Sequence, residues 1–222
     1  MLFSYHNEKV GEHDVLIWNL PAPLTCPGST AICRKHCYAA KGDSRWPKTI
    51  RKWRWNFAAS MRSDFVERAV DELQRSRRRL VRVHSAGDFY SLRYIRKWIE
   101  ICRRCPDKVF WFYSRSWRLP HLLAALIELA ALPNVFGWWS VDQETGIAPT
   151  VDGARAVWMQ AEHELPNQSV DLIFRERLKP ARPSTEVLGN VYICPVENGN
   201  GVPMTCEKCR YCLSNAAIPK LK

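Results

Sequence analysis

The sequence predicts an α/β chain of parallel βα units, either an open barrel or a doubly wound sheet, with a small cysteine-bearing segment behind it. Three observations carry this. Six apolar runs of four or five residues are rich in β-branched and aromatic side chains, as buried strands are. Between them the apolar spacing lengthens to every three or four residues, the helical period. Four of the runs end in polar residues, as strands feeding a common rim do.

The strands expected are Val15–Trp18, Leu80–His84, Val109–Tyr113, Val135–Trp139, Val170–Phe174 and Val191–Cys194. Trp53, Phe57 and Met61 repeat every four residues opposite Arg51, Lys52, Arg54 and Arg62, which predicts a first helix. Ser63-Asp64 begins a second, with Val66, Ala69, Val70 and Leu73 on its apolar face. Ile95, Trp98, Ile99 and Cys102 mark a third, ended by Pro106, and Leu122, Leu123, Leu126, Ile127 and Ala130 a fourth, ended by Pro133. Asp152 to Glu164 reads as a weaker fifth helix, and the Pro-rich stretch Lys179 to Ser184 as an irregular loop. Residues 1–190 are therefore expected to form the α/β domain and 191–222 a cysteine-rich appendage.

No window holds eighteen uninterrupted apolar residues, and the first fourteen turn polar at once, so the expectation is a cytoplasmic protein with no membrane association. The charge, +11 overall, is uneven. Residues 34–104 hold 20 Lys and Arg against 7 Asp and Glu, a net of +13, while the remainder holds 13 against 15, a net of −2. A basic half of this kind attracts phosphate polymers such as nucleic acid, and Trp46, Trp53 and Trp55 among its Arg and Lys are candidates to stack on bases. The other reading of that half is a solvated helical surface.

Nine cysteines fall in clusters, and an odd number cannot pair completely within the chain. Short spacings suit metal ligation better than a disulfide framework. Cys206, Cys209 and Cys212 form a C-x2-C-x2-C run, and Cys194 supplies a fourth thiol at a strand end. Four thiolates complete an iron–sulfur cluster or a tetrahedral zinc site. Cys26, Cys33 and Cys37 form C-x6-C-x3-C in the loop after the first strand, around a Pro27-Gly28 turn. Three thiolates on a [4Fe–4S] cubane leave one iron open, and on zinc they leave a water position. Arg34 and Lys35 sit among them and favour the thiolate form. Cys102 and Cys105 are also a C-x-x-C pair, but Cys102 continues an apolar helical face and reads as core. His84, at a strand end, reads as structural. The remaining candidates are strand-end polar groups: Ser85, Gly87 and Asp88; Arg115; Ser140, Asp142 and Glu144; and Arg175.

CPGSTAICRKHCYA after the first strand, RVHSAGDFYS at the second and FWFYSRSW at the third together resemble the radical-SAM-like families, most closely the phage and mobile-element gene product 88 domain. The resemblance covers most of the chain. It implies a partial (β/α)6 TIM-like barrel holding a [4Fe–4S] cluster on Cys26, Cys33 and Cys37, with the open iron binding S-adenosylmethionine. It further implies that Ala86-Gly87-Asp88 stands where those enzymes carry a glycine-acid segment, and that His36 replaces the aromatic residue common before the last cysteine. With Tyr38 and Ser85, Gly87 and Asp88 would contact the cofactor, and Cys194, Cys206, Cys209 and Cys212 would hold a second cluster. The cysteine spacing is wider than the usual C-x3-C-x2-C, and Asp88 is one methylene shorter than Glu. Two functions are compatible with these features. One is an enzyme that cleaves S-adenosylmethionine, supplied by an electron donor, with Arg115, Ser140, Asp142, Glu144 and Arg175 facing a substrate. The other is a non-catalytic iron–sulfur protein that binds nucleic acid or senses redox state.

Overall fold

In the computed structural model seven strands lie parallel in one sheet, in the sequential order β1 to β7. The structure describes residues 1–5, 7, 9–40, 47–161, 164–175, 191–196 and 204–214. The strands are β1 (Val15–Trp18), β2 (Leu80–Val83), β3 (Val109–Ser114), β4 (Val135–Val141), β5 (Ala154–Gln160), β6 (Leu172–Arg175) and β7 (Tyr192–Ile193). The order contains no reversal, so the doubly wound alternative is not the one adopted. Among the described residues β7 does not pair with β1, and the sheet is open.

The strands run as expected because their alternate residues are apolar on both faces. On one face Val81, Val83, Phe110, Phe112, Trp139, Val141, Trp158 and Ile173 pack into the main core. The helices that cover it are α3 (Phe65–Arg75), α4 (Leu92–Arg104) and α5 (Pro120–Ala130). The spacing of Ile95, Trp98, Ile99 and Cys102 along α4 puts all four on its buried side. Ser91 accepts a hydrogen bond from the Tyr94 amide to start that helix, and Arg103 and Arg104 occupy its last turn, where cations are favoured. Trp18, Phe65 and Trp98 pack ring against ring within it at centroid separations of 5.1–6.2 Å. Full burial of each such side chain contributes roughly 2–3 kcal/mol. Cys102 and Cys105 lie in this core, as a pair of small apolar residues does.

Two expectations are corrected. The expected fifth helix, Asp152 to Glu164, is instead β5, which makes seven strands rather than six. Val157 and Trp158 are both fully buried but belong to clusters on opposite sides of the sheet. That alternation is the strand period, and pairing with β4 on one edge and β6 on the other outweighs any helical preference. The connection from β4 to β5, residues 142–153, consequently crosses over without a helix. In α2 (Pro47–Met61), Met61 is exposed rather than on the buried face, which is formed by Ile50, Trp53, Asn56, Ala59 and Ser60. The Pro-rich stretch 179–184 and Trp46 lie outside the described residues. Among the described residues no helix is long and apolar enough to cross a membrane.

Candidate functional site

All seven strands point the same way, so their C-terminal ends share one edge of the sheet. The chain leaving β1 turns at this edge into the first cysteine loop. The Ser29 amide donates to the Cys26 carbonyl across the Pro27-Gly28 turn (3.1 Å). Thr30 caps the short helix α1 (Ala31–His36), its hydroxyl accepting from the Cys33 amide at 3.0 Å. Cys37 follows as the C-cap, so the cap and the turn together fix where the three thiols leave the backbone. All three are half-buried. Burial pushes the Cys26 thiol far above its ordinary range, and Asp88, Cys33 and Cys37 push it further, against the pull of Arg115. Cys33 is raised by burial and opposed chiefly by Arg115.

The expected rim residues converge on this loop. Arg115, at the end of β3, is nearly buried, and its Nη1 donates to Cys33 Sγ at 2.9 Å. Its Nη2 lies 3.2 Å from Asp142 Oδ2, at the end of β4. That same oxygen accepts from the Thr30 hydroxyl (2.6 Å). Arg115 is thus held by a carboxylate on one side and a cysteine sulfur on the other, a charge-assisted contact that favours thiolate. Glu144 accepts from the Ile32 amide at 3.2 Å, tying the turn after β4 to α1. Ser140 is buried, and its carbonyl accepts from Trp117 Nε1.

Asp88 is buried at the same edge, and both its oxygens are used inside the protein. Oδ1 accepts from Ser114 Oγ and the Phe89 amide, each at 2.7 Å, and Oδ2 from the Arg115 amide at 2.8 Å. It therefore locks the turn after β2 to the turn after β3. Gly87 precedes it with φ 84°, and a Cβ there would meet Leu20 Cβ at 2.6 Å and Thr25 Oγ1 at 2.8 Å. Only glycine lets the two loops close this far. Gly28 makes a second close approach, its missing Cβ falling 2.1 Å from the Arg115 carbonyl oxygen. Tyr38 donates to the Ser85 carbonyl, and Asn19 Oδ1 accepts from the Ser85 and Ala86 amides. Arg175 ends β6, and His36 is half-buried in the last turn of α1.

The second set of cysteines lies on the sheet face opposite the helices. Cys194 continues β7, its amide donating to the Ile173 carbonyl at 2.9 Å. The segment from Thr205 folds across this face. The amides of Cys206 and Glu207 bond to the carbonyls of Lys9 and Val10, and Trp138 Nε1 donates to the Cys212 carbonyl. Cys206, Cys209 and Cys212 thereby pack among Leu80, Trp111, Tyr113, Trp138 and Tyr192. The short helix α6 (Cys206–Cys209) ends at Arg210 in the left-handed region, φ 56°, which turns Cys212 back toward the other thiols. Burial and its neighbours Cys206 and Cys209 push the Cys194 thiol up to about 12. Cys212 is raised by burial and by Cys194 and Cys206.

Among these thiols stands a cation that sequence reasoning passed over. Arg82, in the middle of β2, packs its guanidinium 4.1 Å from the Tyr113 ring centre and 5.6 Å from that of Trp111. Among the described residues no carboxylate pairs with it, and its Nε is buried without a partner. It acts to lower the pKa values of Cys206 and Cys212. An arginine inside the apolar run LVRV was the available signal. Arg118 was missed as well: it donates to the carbonyls of Gly28, Glu144 and Thr145 and pins the cysteine loop to the turn after β4.

Both cysteine sets are therefore gathered within mutual electrostatic reach, each beside an arginine. Among the described residues, however, no three His, Cys, Asp or Glu side chains are placed to hold a metal ion. The thiols are soft donors of the kind iron–sulfur groups and zinc take, and Arg115 and Arg82 act toward the thiolate form.

The Gene product 88 family model matches residues 4–215. The Gene 88 protein of Mycobacterium phage L5 is 30% identical over 132 residues, 54% of this chain and 54% of that protein. The Gene 88 protein of Mycobacterium phage D29 is 27% identical over 135 residues, 54% of this chain and 53% of that protein. The aligned part thus spans about half the length of the curated relatives it matches. No solved structure matches the chain. With a family model that takes in both cysteine sets and all seven strands, the chain belongs to the Gene product 88 family.

Proposed function

We propose that this is an iron–sulfur protein whose sheet is the wall of a partial barrel, with a three-cysteine site at the C-terminal edge and a four-cysteine site on the inner face. The observation that carries the reading is Arg82. Arg82 is half-buried with its Nε enclosed and unpartnered, and it acts toward the thiolate forms of Cys206 and Cys212. Metal-bound thiolates at these two positions would match that charge.

At the edge, Cys26, Cys33 and Cys37 would hold a [4Fe–4S] group with one iron left for S-adenosylmethionine, and when bound the pair supplies one-electron reductive chemistry. The chain's own residues do the rest. Arg115 fixes Cys33 and offsets negative charge, Asp142 orients Arg115, and Asp88 with Gly87 holds the neighbouring turn close. Tyr38 and Ser85 would flank the cofactor side, and Ser140 and Glu144 the substrate side. An external electron donor is required, and a reducing compartment such as the cytoplasm suits seven metal-bound thiolates.

The test is spectroscopic. After anaerobic purification and reduction, addition of S-adenosylmethionine is expected to change the EPR signal of the cluster, and Cys33→Ser to abolish the change. An unchanged signal in iron-loaded protein would remove the enzymatic reading and leave a structural or redox-sensing cluster protein.

A further inference from the structure

The basic half of the chain has a structural focus that the cysteine sites do not use. Helix α2 carries Lys48, Arg51, Lys52 and Arg54 and no acidic residue. Lys48 and Arg51 are exposed and, with Lys52 and Trp55, fall on one side of the helix at three- and four-residue spacing. Charge alone describes any solvated helix. The second observation is Trp55, which stays 43% exposed at the end of the stripe. Lys52 Nζ sits 4.3 Å and the Arg68 guanidinium 5.8 Å from its ring centre, so the indole is steadied by cations rather than covered by apolar side chains.

We propose that this face of α2 binds single-stranded nucleic acid, the cations tracking phosphates and Trp55 stacking on an unpaired base. The fifteen residues of α2 run about 22 Å, room for several nucleotides. A bilayer is the poorer partner, because the large apolar side chains exposed on α2 are only Trp55 and Met61. The opposite side of α2 explains the location. Ile50 and Trp53 pack with Ala39 and Ala86, against Cys37 and Tyr38, so α2 itself stands between the bound strand and the first cysteine loop.

The experiment is fluorescence anisotropy of a labelled oligothymidylate of about fifteen nucleotides, with a duplex of equal length and phosphatidylserine vesicles as comparisons. About four phosphate contacts predict a slope of log affinity against log salt near −2.8, or roughly fiftyfold weaker binding from about 50 to 200 mM salt. Lys48→Ala with Arg51→Ala is expected to halve the slope, and Trp55→Ala to weaken binding at least about fivefold. These substitutions are on the surface, and an unchanged melting temperature confirms that the fold is kept. Absence of binding, equal binding by the variants, or preference for duplex or vesicles over the single strand would overturn the proposal. The measurement does not depend on cluster content, so its failure is separable from failure of the iron–sulfur reading.

Discussion

His84 is buried at the end of β2, and burial holds its pKa at about 3, below its ordinary 6.5. The neighbouring charge of Arg82 acts in the same direction. The hydrogen bonds accommodate the neutral ring. Trp18 Nε1 donates to Tyr94 Oη at 2.7 Å, and Tyr94 Oη lies 2.8 Å from His84 Nε2. With Nε2 of the neutral ring unprotonated, the tyrosine hydrogen goes to it. A second ring proton is disfavoured by burial and by Arg82, with Nδ1 buried and unpartnered. The folded state binds this proton less readily than the unfolded state, so stability falls as pH drops below about 6.5 and levels off only below about 3. At about pH 5 the ratio of protonation terms is near thirty, a loss of about 2 kcal/mol, rising to about 5 kcal/mol below both values. His84→Asn removes the titration and suits the backbone, since φ is 67° and asparagine tolerates the left-handed region. Asp88, whose carboxyl burial raises, contributes with the opposite sign but is present in both proteins and cancels in the comparison. Urea unfolding at about pH 7.5 and about pH 5 should show the parent losing about 2 kcal/mol more than the variant. Equal losses would refute the buried neutral histidine.

Three further outcomes follow from the geometry. Gly28→Ala would drive a methyl group into the Arg115 carbonyl, 2.1 Å away; a loss of about 1–3 kcal/mol together with reduced iron content is expected, by melting and iron assay. Arg82→Met removes the cation facing Cys206 and Cys212 and should lower the potential of the inner cluster by on the order of tens of millivolts, measured by redox titration followed by EPR. Trp158→Ala in β5 should cost about 3–5 kcal/mol in chemical unfolding, because Trp158 is fully buried in the main core.

Much of this architecture was legible in the residues. Five apolar runs became the parallel strands β1 to β4 and β6, a sixth became the two-residue β7, and the glycine at 87 sits where a positive φ and a close approach demand it. The fifth strand was not legible, because ARAVWMQ lacks strict polar–apolar alternation. Its two faces are both covered, so the strand period is hidden by burial on each side. The candidate site divides the same way. Cysteine spacing announced both sets, and strand-end polarity announced Asp88, Arg115 and Asp142. Their division of labour was not announced. Asp88 joins two turns, and Arg115 donates to Cys33. Such roles depend on which oxygen meets which donor across strands, and single-sequence patterns do not encode it. Arg82 was overlooked because a lone charge in an apolar run reads as a solvent-facing residue until the segment that covers it is seen.

The central claim is that both cysteine sets hold iron–sulfur clusters, and direct chemical analysis tests it. Anaerobically purified protein should contain about eight iron and eight sulfide per chain, as two [4Fe–4S] groups require, falling to about half in Cys33→Ser and in Cys209→Ser. Stoichiometric zinc with no acid-labile sulfide, or full iron retained in both variants, would contradict it.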